Sequence, residues 1–113
     1  MREYNGWTNY ETWAVKLWID NDQGTHEWWH EQALECVAEG LRDPDPYDVG
    51  ITPEQRARYL LADRLKDVHE EEAGASLDES PPTVFTDLLG AALGEVNWNE
   101  IAEALLDIEK VQP

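Results

Sequence analysis

Residues 5–24 read N-G-W-T-N-Y-E-T-W-A-V-K-L-W-I-D-N-D-Q-G, and the fold turns on how this stretch is read. Thr8 followed three residues later by Glu11 is a capping box, which places a helix start at about Asn9. Tyr10, Trp13, Ala14, Leu17 and Trp18 then recur at helical spacing as one apolar stripe. Asp20, Asn21, Asp22, Gln23 and Gly24 are turn formers, with Gly24 able to take a left-handed conformation past the helix end. Trp7, Trp13, Trp18, Trp28 and Trp29, five of the six tryptophans, lie in or beside this unit. So many large rings in one place predict that the packing centre is here.

Working outward, a second helix is expected over residues 26–39, with Thr25 as N-cap, Gly40 at its end, and Trp29, Ala33, Cys36, Val37 and Gly40 on one face. Asp43-Pro44-Asp45-Pro46 cannot continue a helix, so residues 41–50 form a loop. Thr52-Pro53-Glu54-Gln55 supplies an N-cap, a proline at the first helical position and a capping-box Gln. The third helix runs to about Glu72 with Ala57, Leu60, Leu61, Leu65 and Val68 inward. Arg64 falls within that stripe and needs a carboxylate partner if buried.

After an acidic connection over residues 73–80, Ser80-Pro81 opens a fourth helix ending at Gly94. Its stripe is Phe85, Leu88, Leu89, Ala92 and Leu93. Asp87 is the single formal charge from Pro81 to Gly94, so this helix is expected to be the most enclosed. Asn97 and Glu100 form another capping box, and a last helix carries Trp98, Ile101, Ala104, Leu105 and Ile108 inward to about Lys110. No stretch alternates as a strand would. The expectation is an all-α, single-domain bundle of about five helices over residues 1–113, with Trp13, Leu17, Trp29, Leu61, Leu89 and Leu105 in a shared core.

N-Y-E-T-W at residues 9–13, W-I-D-N-D at 18–22 and E-V-N-W-N-E-I-A at 95–102 resemble a family of small acidic phage- and plasmid-type proteins. The resemblance covers the two ends of the chain and is weaker through the middle. It implies a mobile-element setting and brings no catalytic residues with it.

Charge is the outlying property. Eight Lys and Arg stand against 25 Asp and Glu, a formal net charge of −17. Self-repulsion of that size costs stability in the compact state. It also excludes unaided nucleic-acid binding and makes a basic protein surface or a cation the natural partner. Solubility or salt adaptation is the plainer explanation. No apolar run approaches the roughly 20 residues of a membrane span, and Met1-Arg2-Glu3-Tyr4 does not open a signal peptide. A soluble, cytoplasmic protein is expected. The lone cysteine, Cys36, reads as a small buried hydrophobe rather than a nucleophile.

Three stretches bear on chemistry. His26-Glu27-Trp28-Trp29-His30 fits H-E-x-x-H, in which His26 and His30 would share a helix face as zinc ligands and Glu27 would activate water. Against it stand the position of His26 in a fraying first turn and the charge of Glu31 directly after the motif. Glu54 or His69 would be the third ligand, though no spacing selects either. Asp20 to Gly24 begins like a calcium loop with Glu31 at the twelfth position, but the glycine comes one place early. Neither match outweighs two histidines at a helix edge and an ordinary helix stop, so no metal, cofactor or catalytic residue is expected.

The third stretch carries the leading expectation. Glu27, Glu31, Glu35 and Glu39 recur every fourth residue, about 6 Å apart along a helix. No Lys or Arg interleaves. Residues 20–48 hold nine acidic residues, Asp43 and Asp45 among them, and a single basic one, Arg42. A second acidic run covers residues 67–79, and Glu100, Glu103 and Asp107 make a smaller stripe. A row of carboxylates on a rigid helix can stand in for phosphates, which follow one another every ~3.4 Å along a DNA strand. Trp28 falls among these glutamates and would anchor a partner or stack on arginine, unless residues 44–49 cover it. The leading expectation is a non-enzymatic nucleic-acid mimic that blocks a basic, nucleic-acid-binding defence protein through Glu27, Trp28, Glu31, Glu35, Glu39, Asp43 and Asp45. The alternatives are an acidic interaction module without mimicry and a small zinc hydrolase. Large helix faces leave a homodimer open.

Overall fold

The computed structural model describes residues 4–42, 50, 52–76 and 84–111. Five helices run through them: α1 (Tyr10–Asn21), α2 (Gln23–Arg42), α3 (Pro53–Ser76), α4 (Val84–Glu95) and α5 (Trp98–Val111). The all-α, five-helix architecture read from the sequence is the one the chain adopts. Among the described residues the extended pairing is confined to one bridge between Tyr4 and Trp7.

The packing centre lies between α2, α3 and α5 rather than around α1. Trp29, Ala33 and Cys36 from α2 meet Ala57, Leu61, Ala62 and Leu65 from α3 and Trp98, Ile101, Ala102, Leu105 and Leu106 from α5, all buried. His69 of α3 is stacked between two of these rings, its centroid 5.8 Å from Trp29 and 5.3 Å from Trp98. Its Nδ1 lies 2.8 Å from the Leu65 carbonyl, so Nδ1 carries the ring proton. Ala104 is half-buried rather than inward, and the side chain of Ile108 lies outside the described residues.

α1 turns a different face inward from the one its apolar stripe predicts. Thr12, Lys16 and Ile19 are buried, while Tyr10, Leu17 and Trp18 are exposed and Trp13 and Ala14 half-buried. Two local structures explain the rotation. Asn5 and Gly6 both adopt positive φ in the turn between Tyr4 and Trp7, as the Asn-Gly dipeptide of a tight hairpin does. That turn lays Tyr4 against Tyr10 and Trp13, at ring distances of 5.2 and 4.8 Å, so the chain covers part of the stripe itself. The inward face is held by polar groups. The Lys16 stem lies in the interior with Nζ 2.6 Å from Asp20, and Thr12 accepts from Asn97 N–H, just before α5.

α4 is the second correction. Although nearly uncharged, it has no buried residue; Leu88 and Phe85 are exposed and Leu89 half-buried. It packs chiefly on α1, and Leu93 is the α4 side chain that reaches the core. An apolar helix is free to be buried, but only a neighbouring face can bury it, and α2, α3 and α5 already cover one another. The expected start at Ser80-Pro81 lies outside the described residues.

The helix ends follow capping chemistry, not always at the expected residue. Asn9, not Thr8, caps α1, accepting from Thr12 N–H at 2.9 Å. Asp22 is a one-residue joint from which α2 starts at once, three residues earlier than expected. Its carboxylate accepts from Gly24 N–H at 3.0 Å and its carbonyl from His26 N–H at 2.8 Å. Gly40 does not stop α2. It is a close-approach position, where a Cβ would sit 2.8 Å from the Pro53 carbonyl oxygen and 3.4 Å from Ala57 N. Thr52 and Gln55 form the expected reciprocal box at the start of α3.

Candidate functional site

α2 rises about 30 Å over its 20 residues and presents the four expected glutamates. Glu27, Glu31 and Glu35 are exposed and Glu39 is half-buried. Glu27 accepts a hydrogen bond from Gln23 one turn earlier, at 3.0 Å. Asp43 and Asp45, expected to extend the face, lie outside the described residues.

The row is not free of counter-charge. Arg64 on α3 donates to Gln32 Oε1 at 2.8 Å and Glu35 Oε1 at 3.3 Å, and its second terminal nitrogen lies 3.5 Å from Glu39 Oε2. This is the carboxylate partnership that Arg64 required. It corrects the picture of four uncompensated charges, because the basic residue comes from the neighbouring helix and not from within α2. The two acids remain accessible, with side chains 63% and 42% exposed, so one guanidinium fixes their positions without removing them from solvent. Asp67 and Glu71, three and seven residues beyond Arg64, continue the same side of α3 and are exposed. The acidic surface therefore spans two helices.

Trp28 is 42% exposed and belongs to a different feature from the glutamate row. It lines a cavity of about 440 Å³ with Asp22, Gly24, Thr25, Trp29, Val68 and Glu72. Its ring meets Trp29 edge to face at 4.7 Å and 82°. Sequence reading missed Asp22 and Glu72 as neighbours of Trp28. Glu72 had a legible signal, since it follows Leu61, Leu65 and Val68 at helical spacing and ends their stripe with a carboxylate.

His26 and His30 do lie one turn apart on α2. His26 Nδ1 is 3.3 Å from Asp20 Oδ1, and His69, one suggested third ligand, is held in the ring stack of the core. Among the described residues no three His, Cys, Asp or Glu side chains converge to hold a metal ion. The calcium-loop match falls on the end of α1, the Asp22 joint and the first turns of α2, so it is not a loop. Cys36 is fully buried, and desolvation pushes its thiol above the usual value, against a smaller opposing pull from Arg64. Among the described residues no helix is long and apolar enough to cross a membrane.

The first and last of the segments that carried the resemblance meet in space. Asn9 Nδ2 donates to the Glu95 carbonyl at 2.7 Å, Thr8 N–H to Glu100 Oε1 at 3.0 Å, and Asn97 N–H to Thr12 Oγ1 at 2.8 Å. Their chemistry is that of a lock between α1 and α5, distant in role from the acidic surface. Comparison with curated proteins gives no significant match, and comparison with solved structures gives none. A family model does match, over residues 1–112, and the chain belongs to that family of unknown function, DUF7249.

Proposed function

We propose that the protein is a non-enzymatic, acidic binding protein that occupies the basic, nucleic-acid-binding surface of another protein. The observation that carries this reading is the acidic surface of α2 and α3, where Glu27, Glu31, Glu35, Asp67 and Glu71 are exposed, Glu39 is half-buried, and the Arg64 guanidinium holds Glu35 and Glu39. Carboxylates on packed helices keep their spacing without the ordering cost that a disordered acidic tail meets on binding. Arg64 adds to that order by fixing Glu35 and Glu39. The net charge of −17 gives long-range attraction to a basic target and repels free nucleic acid. The resemblance to phage- and plasmid-type proteins makes a nuclease or effector of host defence the target class, and mimicry of a phosphate row the mode of block.

One observation favours the plainer reading, an acidic interaction module without mimicry. Arg64 ties down half of the glutamate row, as a structural surface link would. Salt dependence separates the two. A phosphate mimic binds its captured partner with a steep loss of affinity as salt rises, because exposed charges are screened beyond about 8–10 Å. Binding that is flat in salt contradicts mimicry.

A further inference from the structure

The cavity beside Trp28 has a composition that neither the glutamate row nor the fold requires. Two indoles, two carboxylates and one valine line it together with Gly24 and Thr25, and no Lys or Arg is among them. Trp28 is 42% exposed, whereas Trp29 is buried and stacked on His69. Asp22 spends one carboxylate oxygen on the Gly24 N–H, and Glu72 is exposed. The volume, about 440 Å³, accommodates a side chain rather than a large cofactor.

From these features we infer that the cavity is a receptor for a guanidinium group, an arginine side chain of the bound partner. A guanidinium is flat and weakly hydrated, stacks on an indole face, and bonds carboxylates in its own plane. Trp28 offers the stacking surface, and Asp22 and Glu72 offer the acceptors. An ammonium lacks the plane and holds its water more strongly. The first turn of α2 opens onto the same space, which would otherwise favour an anion. Asp22 offsets that end, since its carboxylate takes the free Gly24 N–H, and with Glu72 it sets two carboxylates against about half a positive charge. The inference takes from the reading above only the source of the arginine, a basic partner. The pocket's own chemistry can be tested without any partner.

The test follows the indole N–H resonances of the whole protein by NMR while N-acetyl-arginine amide is added. The result expected is a saturable shift at Trp28 and Trp29, with N-acetyl-citrulline amide, the uncharged analogue, giving none. Glu72→Gln and Trp28→Leu should each weaken the arginine response by about tenfold, with Glu54→Gln, at the start of α3, as the unaffected control. Far-UV circular dichroism of each variant verifies that the helices are intact. An absent shift, an equal response to citrulline, an equal response to N-acetyl-lysine amide, or a response to inorganic phosphate at the same two indoles would each overturn the assignment. None of these outcomes touches the salt dependence of partner binding, so failure of the pocket and failure of the mimicry reading are distinguishable.

Discussion

Thr12 Oγ1 accepts the Asn97 N–H at 2.8 Å and donates to Asn9 Oδ1 at 2.6 Å, so a fully buried hydroxyl joins the cap of α1 to the cap of α5. Asn97 in turn caps its own helix by accepting from Glu100 N–H at 3.1 Å, while the Glu100 carboxylate crosses to Thr8. Thr12→Val preserves shape but strands the Asn97 N–H, at a cost of about 1–3 kcal/mol. Thr12→Ser keeps the hydroxyl and should lose less. Urea denaturation monitored by tryptophan fluorescence checks the order, and a Val variant as stable as Ser would contradict the lock.

Gly40 and Gly90 make a paired test of packing. Alanine at Gly40 brings its Cβ within 2.8 Å of the Pro53 carbonyl oxygen. Crowding of that kind costs about 1–3 kcal/mol and exceeds the gain of about 1 kcal/mol in helix propensity. At Gly90 in α4 nothing lies within 4 Å of the added carbon, so Gly90→Ala should stabilise by about 0.5–1 kcal/mol. Thermal denaturation of the two variants should move in opposite directions.

Arg64 should affect stability and binding with opposite signs. Arg64→Gln leaves Glu35 and Glu39 facing each other unrelieved and should destabilise by about 1 kcal/mol at low salt, less at high salt. The same change deepens the negative surface, so association with a basic partner should become faster. Stopped-flow association rates beside denaturation curves check both signs. A slower on-rate would mean that Arg64 orders the surface more than it weakens its field.

Cys36 links burial to pH. Its thiol is raised above the ordinary value of 9.0, chiefly by desolvation. The folded state therefore holds its proton where the unfolded chain releases it. That contribution is intact below the ordinary thiol range and is lost as pH rises from there through the folded value. A disulfide reagent at pH 8 should leave the native thiol untouched and label it on unfolding. The decline in stability above about pH 9 should be smaller in Cys36→Ala, compared over that window.

The helices were legible because their signals are local. Thr52 and Gln55 close their box within one turn, and the Trp29, Ala33, Cys36 stripe recurs every three or four residues. What escaped depends on a neighbour. Which face of α1 turns inward is decided by Asn97 and Glu95 from the far end of the chain, and by Tyr4 folded back on the Asn5-Gly6 turn. α4 looked enclosed because its composition reports hydrophobicity, not cover. At the acidic surface the glutamate row was read correctly as residues on α2. Its counter-charge, Arg64, stands 29 residues from Glu35 and meets it only once α2 and α3 pack.

Mutual exclusion is the most direct test of the proposed function. A partner captured with this protein is saturated with labelled DNA or RNA, and the protein is titrated in while bound label is followed by fluorescence anisotropy. The predicted result is complete displacement of the nucleic acid, with Glu27→Gln combined with Glu31→Gln requiring a higher concentration through a slower on-rate. A ternary complex of partner, nucleic acid and protein, with the double variant binding as the unaltered protein does, would contradict it.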